Sequence, residues 1–174
     1  LNQTVGQFFP EYSNDDVKEI TISHLLSHSS GLKPFVEYFK DPAMTSKEKI
    51  LIDVLSQNLD FEPGTAYQYS DLGMIVMMGI IEKVTGRDLD ELSSRYFYKP
   101  LGMQSTTYNP SNFLINNIVP TEYDRHLRDR LVHGEVHDEN AWVMGGVSGH
   151  AGVFSTSADI AIMMQMLNNE GIWL

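Results

Sequence analysis

Apolar residues recur along this chain with the spacing of helices rather than of strands. Residues 46–58 carry a single apolar stripe, which predicts an amphipathic helix capped by Thr45 or Ser46. Residues 72–85 are apolar nearly all round and stop at Gly86, which predicts a buried helix in the centre of the core. The fold class expected from this pattern is mainly α.

Shorter helices are predicted on either side of this central one. Residues 21–28 read as a short helix that Gly31 closes. Asp88 and Glu91 have the spacing of a capping box, which predicts a helix over residues 89–96.

The second half of the chain contains an irregular stretch and a last helix. Residues 109–137 hold two prolines and scattered charges, so we expect them to wander across the surface. Residues 158–169 form an amphipathic pattern that begins at a cap on Thr156 and closes at Gly171. Within the irregular stretch, a solvated face rather than a ligand site is expected for three arginines: Arg125, Arg128 and Arg130.

Composition limits the possible functions. With 174 residues, 42% of them hydrophobic, residues 1–174 are expected to form a single domain with a real core. The net charge of -11 argues against nucleic-acid binding and disfavours adsorption to anionic lipid. The longest uncharged apolar run, residues 72–81, is about half of the roughly 20 residues that a bilayer requires. We therefore expect no membrane-spanning segment.

The segment 61–74, FEPGTAYQYSDLGM, is the strongest candidate for chemistry. A Pro-Gly turn leads to Tyr69, which lies where a loop meets the central helix, a usual place for functional residues. Asp71 can cap that helix. A purely structural interpretation, with Tyr69 as a packed aromatic and Asp71 as a cap only, is the alternative.

Four segments in order resemble the serine β-lactamase-like hydrolases, the family of class C β-lactamases, DD-peptidases and related esterases. The first, ITISHLLSHSSGL, resembles the family's LLTHTSGL segment, and FEPGTAYQYSDLGM resembles its Tyr-x-Asn motif. The remaining two resemble its IIE..TG...PLGM run and its glycine-rich turn and helix. The four segments occupy residues 20–32, 61–74, 79–103 and 149–161.

The resemblance implies a fold, a chemistry and two catalytic residues. It implies the helical lobe of the α/β serine β-lactamase/transpeptidase-like fold, as an internal segment of a larger domain whose remainder is its partner. The parent would be a serine hydrolase that acts through an acyl-enzyme on an amide or ester, such as a peptidoglycan-like peptide, a β-lactam or a small ester. Tyr69 would share the general-base role with a lysine, and Asp71 would stand where the family more often has Asn. The family's usual location implies a periplasmic or extracytoplasmic protein.

Residues 136–141 and 145–152 are most similar to a bacterial branch of this family, some of whose members are fused to a family 3 glycoside hydrolase. A fused glycoside hydrolase domain is therefore a possible partner. The alternative function is a non-catalytic β-lactamase-like binding or structural module beside such a glycosidase.

The family's nucleophile belongs to a Ser-x-x-Lys motif on a helix, and two such spacings occur in the chain. Ser30 and Lys33 straddle Gly31, a helix terminator, so we do not expect them to share a helix. Ser46 also lies three residues before a lysine, Lys49, but we interpret Ser46 as an ordinary N-cap of the amphipathic helix over residues 46–58. The nucleophile and the later Lys-Thr-Gly or His-x-Gly motif are expected outside the 174 residues, and the fragment alone is expected to be inactive.

The histidines raise two further possibilities. His150 lies in an HAG sequence that could border the substrate, although a glycine-rich turn is the favoured interpretation of residues 145–152. His24 and His28 have the four-residue spacing of zinc ligands, and His133, His137 and Asp138 lie close together further on. The first pair lies in a family segment that binds no metal, and the chain has no His-Glu-x-x-His motif and no cysteine. We therefore expect no metal and no cofactor.

Overall fold

The computed structural model describes residues 1–172, apart from the side chains of residues 112–114. Within this range the chain is built from short and medium helices joined by long connections. The α-helices are α1 Val5–Phe8, α2 Asp15–Lys18, α3 Ile22–Leu26, α4 Lys47–Leu55, α5 Asp71–Thr85, α6 Leu89–Ser93, α7 Lys99–Leu101, α8 Glu139–Val143 and α9 Ser157–Asn168.

Strands contribute little to the described part of the chain. β1 Thr107–Tyr108 pairs antiparallel with β4 Val153–Phe154, and β2 Tyr123–Asp124 pairs antiparallel with β3 Arg130–Leu131. Two 3₁₀ segments, Tyr38–Lys40 and Asn112–Asn117, and a π-helical segment, Ser94–Tyr98, complete the structure.

Helix α5 is the centre of the core, as its sequence predicts. It packs against α3 and α4, and its buried residues come from nearly every side of the helix. Gly86 ends it in the left-handed region, at φ 65°, where a residue without a Cβ is favoured. The buried side chains on α5 include Leu72, Ile75, Val76, Met78 and Ile80.

Helix α4 confirms the predicted stripe, with Ser46 as its cap. The Ser46 side chain accepts a hydrogen bond from the Lys49 N–H, and the last turn ends at Leu55 rather than at residue 58. Helix α9 likewise begins after Thr156, whose hydroxyl accepts from the Asp159 N–H.

Two predicted helix ends are wrong for identifiable reasons. Gly31 does not close α3, which stops at Leu26; its missing Cβ instead leaves room for the carbonyl of Phe61. The capping box of Asp88 and Glu91 is also absent. The Asp88 carboxylate accepts a hydrogen bond from Lys47 at 2.6 Å, so it is not available to the helix.

Arg128 corrects the prediction of a solvated arginine face. Its side chain is only 1% exposed, and its guanidinium donates to the carbonyl groups of Val136 and His137. It also lies over the Trp142 ring, 5.0 Å from the ring centroid. Arg128 therefore organises the irregular stretch from inside, whereas Arg130 is half exposed.

No helix in residues 1–172 is both long enough and apolar enough to span a bilayer.

Candidate active site

Ser70, rather than Asp71, caps helix α5. Its fully buried hydroxyl accepts a hydrogen bond from the Gly73 N–H at 3.1 Å and donates one to the Lys33 carbonyl at 2.7 Å. Asp71 is the first residue of the helix, where a negative charge interacts favourably with the helix dipole. The loop that carries Tyr69 is thus fixed to the core at the adjacent residue.

His28 supports the same loop from the opposite side. Its backbone lies in the left-handed region at φ 53°, and its carbonyl accepts a hydrogen bond from the Gln68 N–H at 2.8 Å. Its ring nitrogen Nδ1 accepts from the Ser70 N–H at 3.3 Å. The same ring packs on Tyr69, with centroids 4.6 Å apart. His28 therefore holds Tyr69 through both its backbone and its ring.

Tyr69 presents its phenol at the surface of this rigid loop, with 54% of the residue exposed. Partial burial raises the pKa of the Tyr69 phenol, and the nearby carboxylates of Asp71 and Asp138 raise it further. The described residues around Tyr69 therefore favour the neutral phenol. A phenolate at neutral pH would require an additional positive charge close to the hydroxyl.

Gly149 brings a distant turn against the first turns of α5. A Cβ at this position would overlap the carbonyl oxygen of Met74, so only glycine allows the two backbones to approach this closely. The residues on both sides of Gly149 are consequently placed next to the start of α5. Those residues are Ser148 and His150.

His150 is enclosed between a hydroxyl and a carboxylate. Its Nδ1 lies 2.8 Å from the Ser148 Oγ, and its Nε2 lies 2.9 Å from the Asp138 Oδ1. The connectivity resembles a Ser-His-Asp triad, but Ser148 is 1% exposed and the His150 side chain is 1% exposed. A serine closed off from solvent cannot reach a substrate carbonyl, so we exclude Ser148 as a nucleophile.

Asp138 reaches this cluster from helix α8. It caps that helix through a hydrogen bond from the Ala141 N–H at 2.7 Å, and Asn140 ties the helix to the segment around Val36 and Phe39. Burial opposes the charge on Asp138, but hydrogen bonds from His150 and from backbone N–H groups outweigh it and lower the pKa of the carboxyl. Asp138 is therefore held as a carboxylate.

The structure brings two of the sequence-derived candidates, Asp71 and His150, into one group with Asp138. One donor atom from each of these three side chains lies within 4.8 Å of the others. Tyr69 lies beside this group, because the carboxylates of Asp71 and Asp138 are close enough to raise the pKa of its phenol. The candidate residues from the loop, from α5 and from the glycine-rich turn thus share one region of the structure, in which Tyr69 is exposed and the His150 side chain is buried.

The remaining candidates lie in structural positions. The Ser30 hydroxyl is buried in a loop and accepts from the Leu32 N–H, so it shares no helix with Lys33. The Nδ1 of His24, in helix α3, accepts a hydrogen bond from the Thr21 N–H, and His28 lies beyond the end of α3. The two histidines therefore do not share a helical face, and the zinc-like spacing has no structural basis.

Sequence reasoning did not predict the roles of four residues that build the region, although it considered His28 and Asp138 as possible metal ligands. Ser70 follows Tyr69 directly, and a serine before an apolar helix is itself a cap signal. Asp138 also precedes a short apolar helix, which was a usable signal. No local signal points to the ring packing of His28 or to the hydrogen bond of Ser148, because both depend on contacts between distant segments.

Comparison with known proteins shows which family and which proteins this chain is similar to. Residues 1–172 match the family model described as Beta-lactamase. A protein of Salmonella agona (strain SL483), named as a candidate D-alanyl-D-alanine carboxypeptidase, is 34% identical over 195 residues, covering 98% of this chain and 45% of the relative. Its counterpart in Escherichia coli (strain K12), named in the same way, is 36% identical over 184 residues, covering 94% of this chain and 42% of the relative.

Solved structures show the fold. FmtA from Staphylococcus aureus superposes with a TM-score of 0.76 at 17% identity, covering 99% of this chain and 46% of FmtA. The D-alanine carboxypeptidase AmpC from Burkholderia cenocepacia superposes with a TM-score of 0.72 at 19% identity, covering 99% of this chain and 43% of that one. The chain spans less than half the length of each of these relatives. It has the β-lactamase/transpeptidase-like fold over that span, and it belongs to the β-lactamase family.

Proposed function

We propose that this chain is the helical part of a serine hydrolase that acts through an acyl-enzyme on an amide or ester. The observation that carries the proposal is the presentation of Tyr69, an exposed phenol on a loop fixed from behind by buried Ser70 and by the His28 ring. A catalytic side chain must be held rigidly and still reach substrate, and Tyr69 meets both requirements.

In the proposed reaction, a serine hydroxyl outside the 174 residues attacks the substrate carbonyl carbon. Tyr69 and the lysine of the Ser-x-x-Lys motif accept the serine proton and return it to the leaving group as the carbonyl–leaving-group bond breaks. Water then hydrolyses the acyl ester. The lysine ammonium would supply the positive charge that the phenol of Tyr69 otherwise lacks.

Asp71 narrows the proposed substrate class. An ionised carboxylate only accepts hydrogen bonds, whereas the asparagine more usual at this position can also donate to a substrate carbonyl. We therefore propose weak turnover of β-lactams. A peptidoglycan-like peptide or a small ester is the substrate class we propose. Names of the relatives, as candidate D-alanyl-D-alanine carboxypeptidases, support a peptide substrate and an extracytoplasmic location.

The second candidate is a non-catalytic binding or structural module, and one observation favours it. Partial burial and the carboxylates of Asp71 and Asp138 raise the pKa of the Tyr69 phenol, and no described Lys or Arg forms an ion pair with either carboxylate. If the rest of the domain supplies no lysine, Tyr69 remains a neutral phenol and cannot act as a base. A glycoside hydrolase fused to this module stays a prediction.

Active-site labelling of the longer protein tests the proposal. A fluorescent penicillin or fluorophosphonate should modify one serine outside the 174 residues, and Tyr69→Phe should slow acylation by at least a hundredfold. Tyr67→Phe is the matched control, because Tyr67 is also exposed and also contacts the His28 ring. Equal loss in both variants, or no labelling of the folded protein, would move the assignment to the non-catalytic module.

The fragment itself provides a second test. The purified 174 residues should hydrolyse no ester above background, because the proposed nucleophile is not among them. Turnover by the fragment, with label on Ser30 or Ser46, would refute the placement of the nucleophile.

A further inference from the structure

A hydrogen-bonded chain runs from buried Ser148 through buried His150 to Asp138. The Nδ1 of His150 lies 2.8 Å from the Ser148 Oγ, and its Nε2 lies 2.9 Å from the Asp138 Oδ1. The His150 side chain is closed off from solvent, whereas that of Asp138 is 26% exposed. The buried part of the chain thus ends on a single carboxylate that other groups can reach.

The direction of these hydrogen bonds follows from their acceptors. A carboxylate only accepts, so His150 carries its proton on Nε2, and the Ser148 hydroxyl donates to Nδ1 of the neutral imidazole. The Ala141 N–H, at 2.7 Å, donates to the same oxygen of Asp138 as His150 does, Oδ1. Both bonds favour the charged carboxyl, and they leave Oδ2 of Asp138 as an acceptor for a further donor.

Asp138 lies beside Asp71 and Tyr69. One oxygen of each of the two carboxylates lies within 4.8 Å of the other. Partial burial raises the pKa of the Tyr69 phenol, and both carboxylates are close enough to raise it further. No described Lys or Arg forms an ion pair with Asp71 or Asp138. Two carboxylates this close repel one another unless a cation lies between them.

Lys47 shows how one ammonium on this chain satisfies two carboxylates. Its Nζ lies 3.0 Å from Glu82 and 2.6 Å from Asp88. Burial opposes the charge on Lys47, but hydrogen bonds to Asp88 and Glu82 outweigh it and raise the pKa of the ammonium. A lysine placed between Asp71 and Asp138 would be held as an ammonium for the same reason.

The inference rests on the proposed function, in which the lysine of the Ser-x-x-Lys motif lies close to the Tyr69 hydroxyl. An ammonium there is within reach of Asp71 and Asp138, because both carboxylates lie beside that phenol. We propose that His150 and Asp138 are positioning residues of this reaction. The buried imidazole orients the carboxylate of Asp138, and the two carboxylates together hold the lysine ammonium against the phenol.

Neutralising Asp138 should change the pH at which the lysine and Tyr69 become active. The pair must lose one proton before it can accept that of the serine. The negative charge of Asp138 favours the protonated forms of both members, so without it the proton should leave at lower pH. The acid limb of acylation in Asp138→Asn should therefore lie about one pH unit below that of the wild type. The other titratable groups around Tyr69 in the described part of the chain are unchanged in this variant: His28, Tyr67, Asp71 and His150.

The pH dependence of labelling by a fluorophosphonate, measured on the longer protein, tests this expectation. Asp138→Asn should shift the acid limb and slow acylation at its plateau by roughly tenfold or more. Glu139→Gln is the matched control, because it removes a carboxylate from the same helix, α8, but outside the group of Asp71, Asp138 and His150. It should change neither the limb nor the plateau.

A double variant tests whether His150 acts through Asp138. His150→Gln alone should also slow acylation. Combined with Asp138→Asn, it should cause no further loss, because the carboxylate that it orients is already gone. Losses that add in the double variant would overturn the positioning role of His150.

The lysine itself gives a readout that does not depend on turnover. Competitive acetylation with acetic anhydride, followed by peptide mapping, gives the pH at which the motif lysine becomes reactive. That pH should fall by about one unit in Asp138→Asn. Circular dichroism checks the fold, and Asp138→Ser, which keeps a capping oxygen, replaces Asp138→Asn if the latter unfolds.

The outcomes separate this inference from the proposed function. If the wild type is labelled but the acid limb and the lysine reactivity of Asp138→Asn match it, only the inference is overturned. The same holds if Asp138→Asn is slower with an unchanged limb and unchanged lysine reactivity, because Asp138 then has a structural role alone. If the folded wild type takes no label, the proposed function is overturned and the inference with it.

Discussion

The imidazole of His28 packs on the phenol ring of Tyr69, with centroids 4.6 Å apart and ring planes tilted by 42°. The same histidine adopts φ 53°, a conformation that residues with a Cβ rarely take. One residue thus combines backbone strain with the support of a candidate catalytic side chain, as is common where function constrains the backbone.

Substitutions at His28 should separate the cost of its left-handed backbone from the packing of its ring on Tyr69. His28→Ala and His28→Gly both remove the ring, but only alanine keeps the strained Cβ, so the glycine variant should be more stable by about 1 kcal/mol. Urea unfolding measures the difference. Both variants should lose the packing on Tyr69, which fluorescence quenching by iodide would show as greater solvent access. Equal stability of the two variants would mean that φ 53° carries no strain.

Ser70→Ala should destabilise the protein by about 1–2 kcal/mol, because it removes the cap of α5 and leaves the Lys33 carbonyl without its donor. Ser46→Ala, at the cap of α4, removes only one hydrogen bond of 3.4 Å and should cost about 0.5 kcal/mol. Urea denaturation midpoints at a constant m-value compare the two. Equal costs would show that the link from Ser70 to Lys33 contributes nothing.

Gly149→Ala and Gly73→Ala should have opposite effects on stability, although each adds one methyl group, at Gly149 against α5 and at Gly73 within α5. At Gly149 the methyl overlaps the Met74 carbonyl, so we expect a loss of about 1–3 kcal/mol. At Gly73 the nearest atoms lie at 3.8 Å, and alanine in a helix should stabilise the protein by up to about 1 kcal/mol. Thermal unfolding gives the sign directly. A stable Gly149→Ala variant would mean that the 148–150 turn can move away from α5.

Asp124 should make stability depend on acid pH. Hydrogen bonds from the backbone N–H groups of Leu127, His126 and Arg128 lower the pKa of its carboxyl below the ordinary value of 3.8. Because the folded pKa is the lower one, the stabilisation is fully present above the unfolded pKa and is lost as pH falls through the folded pKa.

The measurement for Asp124 is the unfolding midpoint between pH 6 and pH 2, with the pH range set by the carboxyl pKa of about 4. Asp124→Asn should show a shallower decline below that pKa than the wild type. Asp15→Asn is the control, since it removes an exposed carboxylate and no backbone hydrogen bond. A decline in Asp124→Asn that matches the wild type would contradict the role of these hydrogen bonds.

Periodicity and capping signals predicted the helices well where the signal is local. The observed boundaries of α5 agree with the predicted ones to within one residue, because both the continuous apolar surface and the terminal Gly86 can be recognised from the sequence. The errors occur where a side chain has a distant partner. Asp88 was predicted to cap a helix but pairs with Lys47, and Arg128 was predicted to be solvated but is buried against Trp142.

The candidate site also divides into residues with a local sequence signal and residues whose contacts are distant in sequence. Tyr69 and Asp71 were found because they are adjacent to a turn and a helix start, both of which are local features. The neighbours of His150 could not be found, because nothing in the residues around it shows that Gly149 meets Met74. The action of Tyr69 on a substrate stays a prediction, which the labelling experiment tests.

The close approach of Gly149 to Met74 also bears on how the protein reaches its native state. About 75 residues separate the two, so their contact closes a long loop whose entropic cost must be met before the group of Asp71, Asp138 and His150 can exist. A partly folded chain that already contains α5 would still lack that group. Ligand binding at this group would therefore report on completed folding, and a bound ligand would protect the finished chain from local opening.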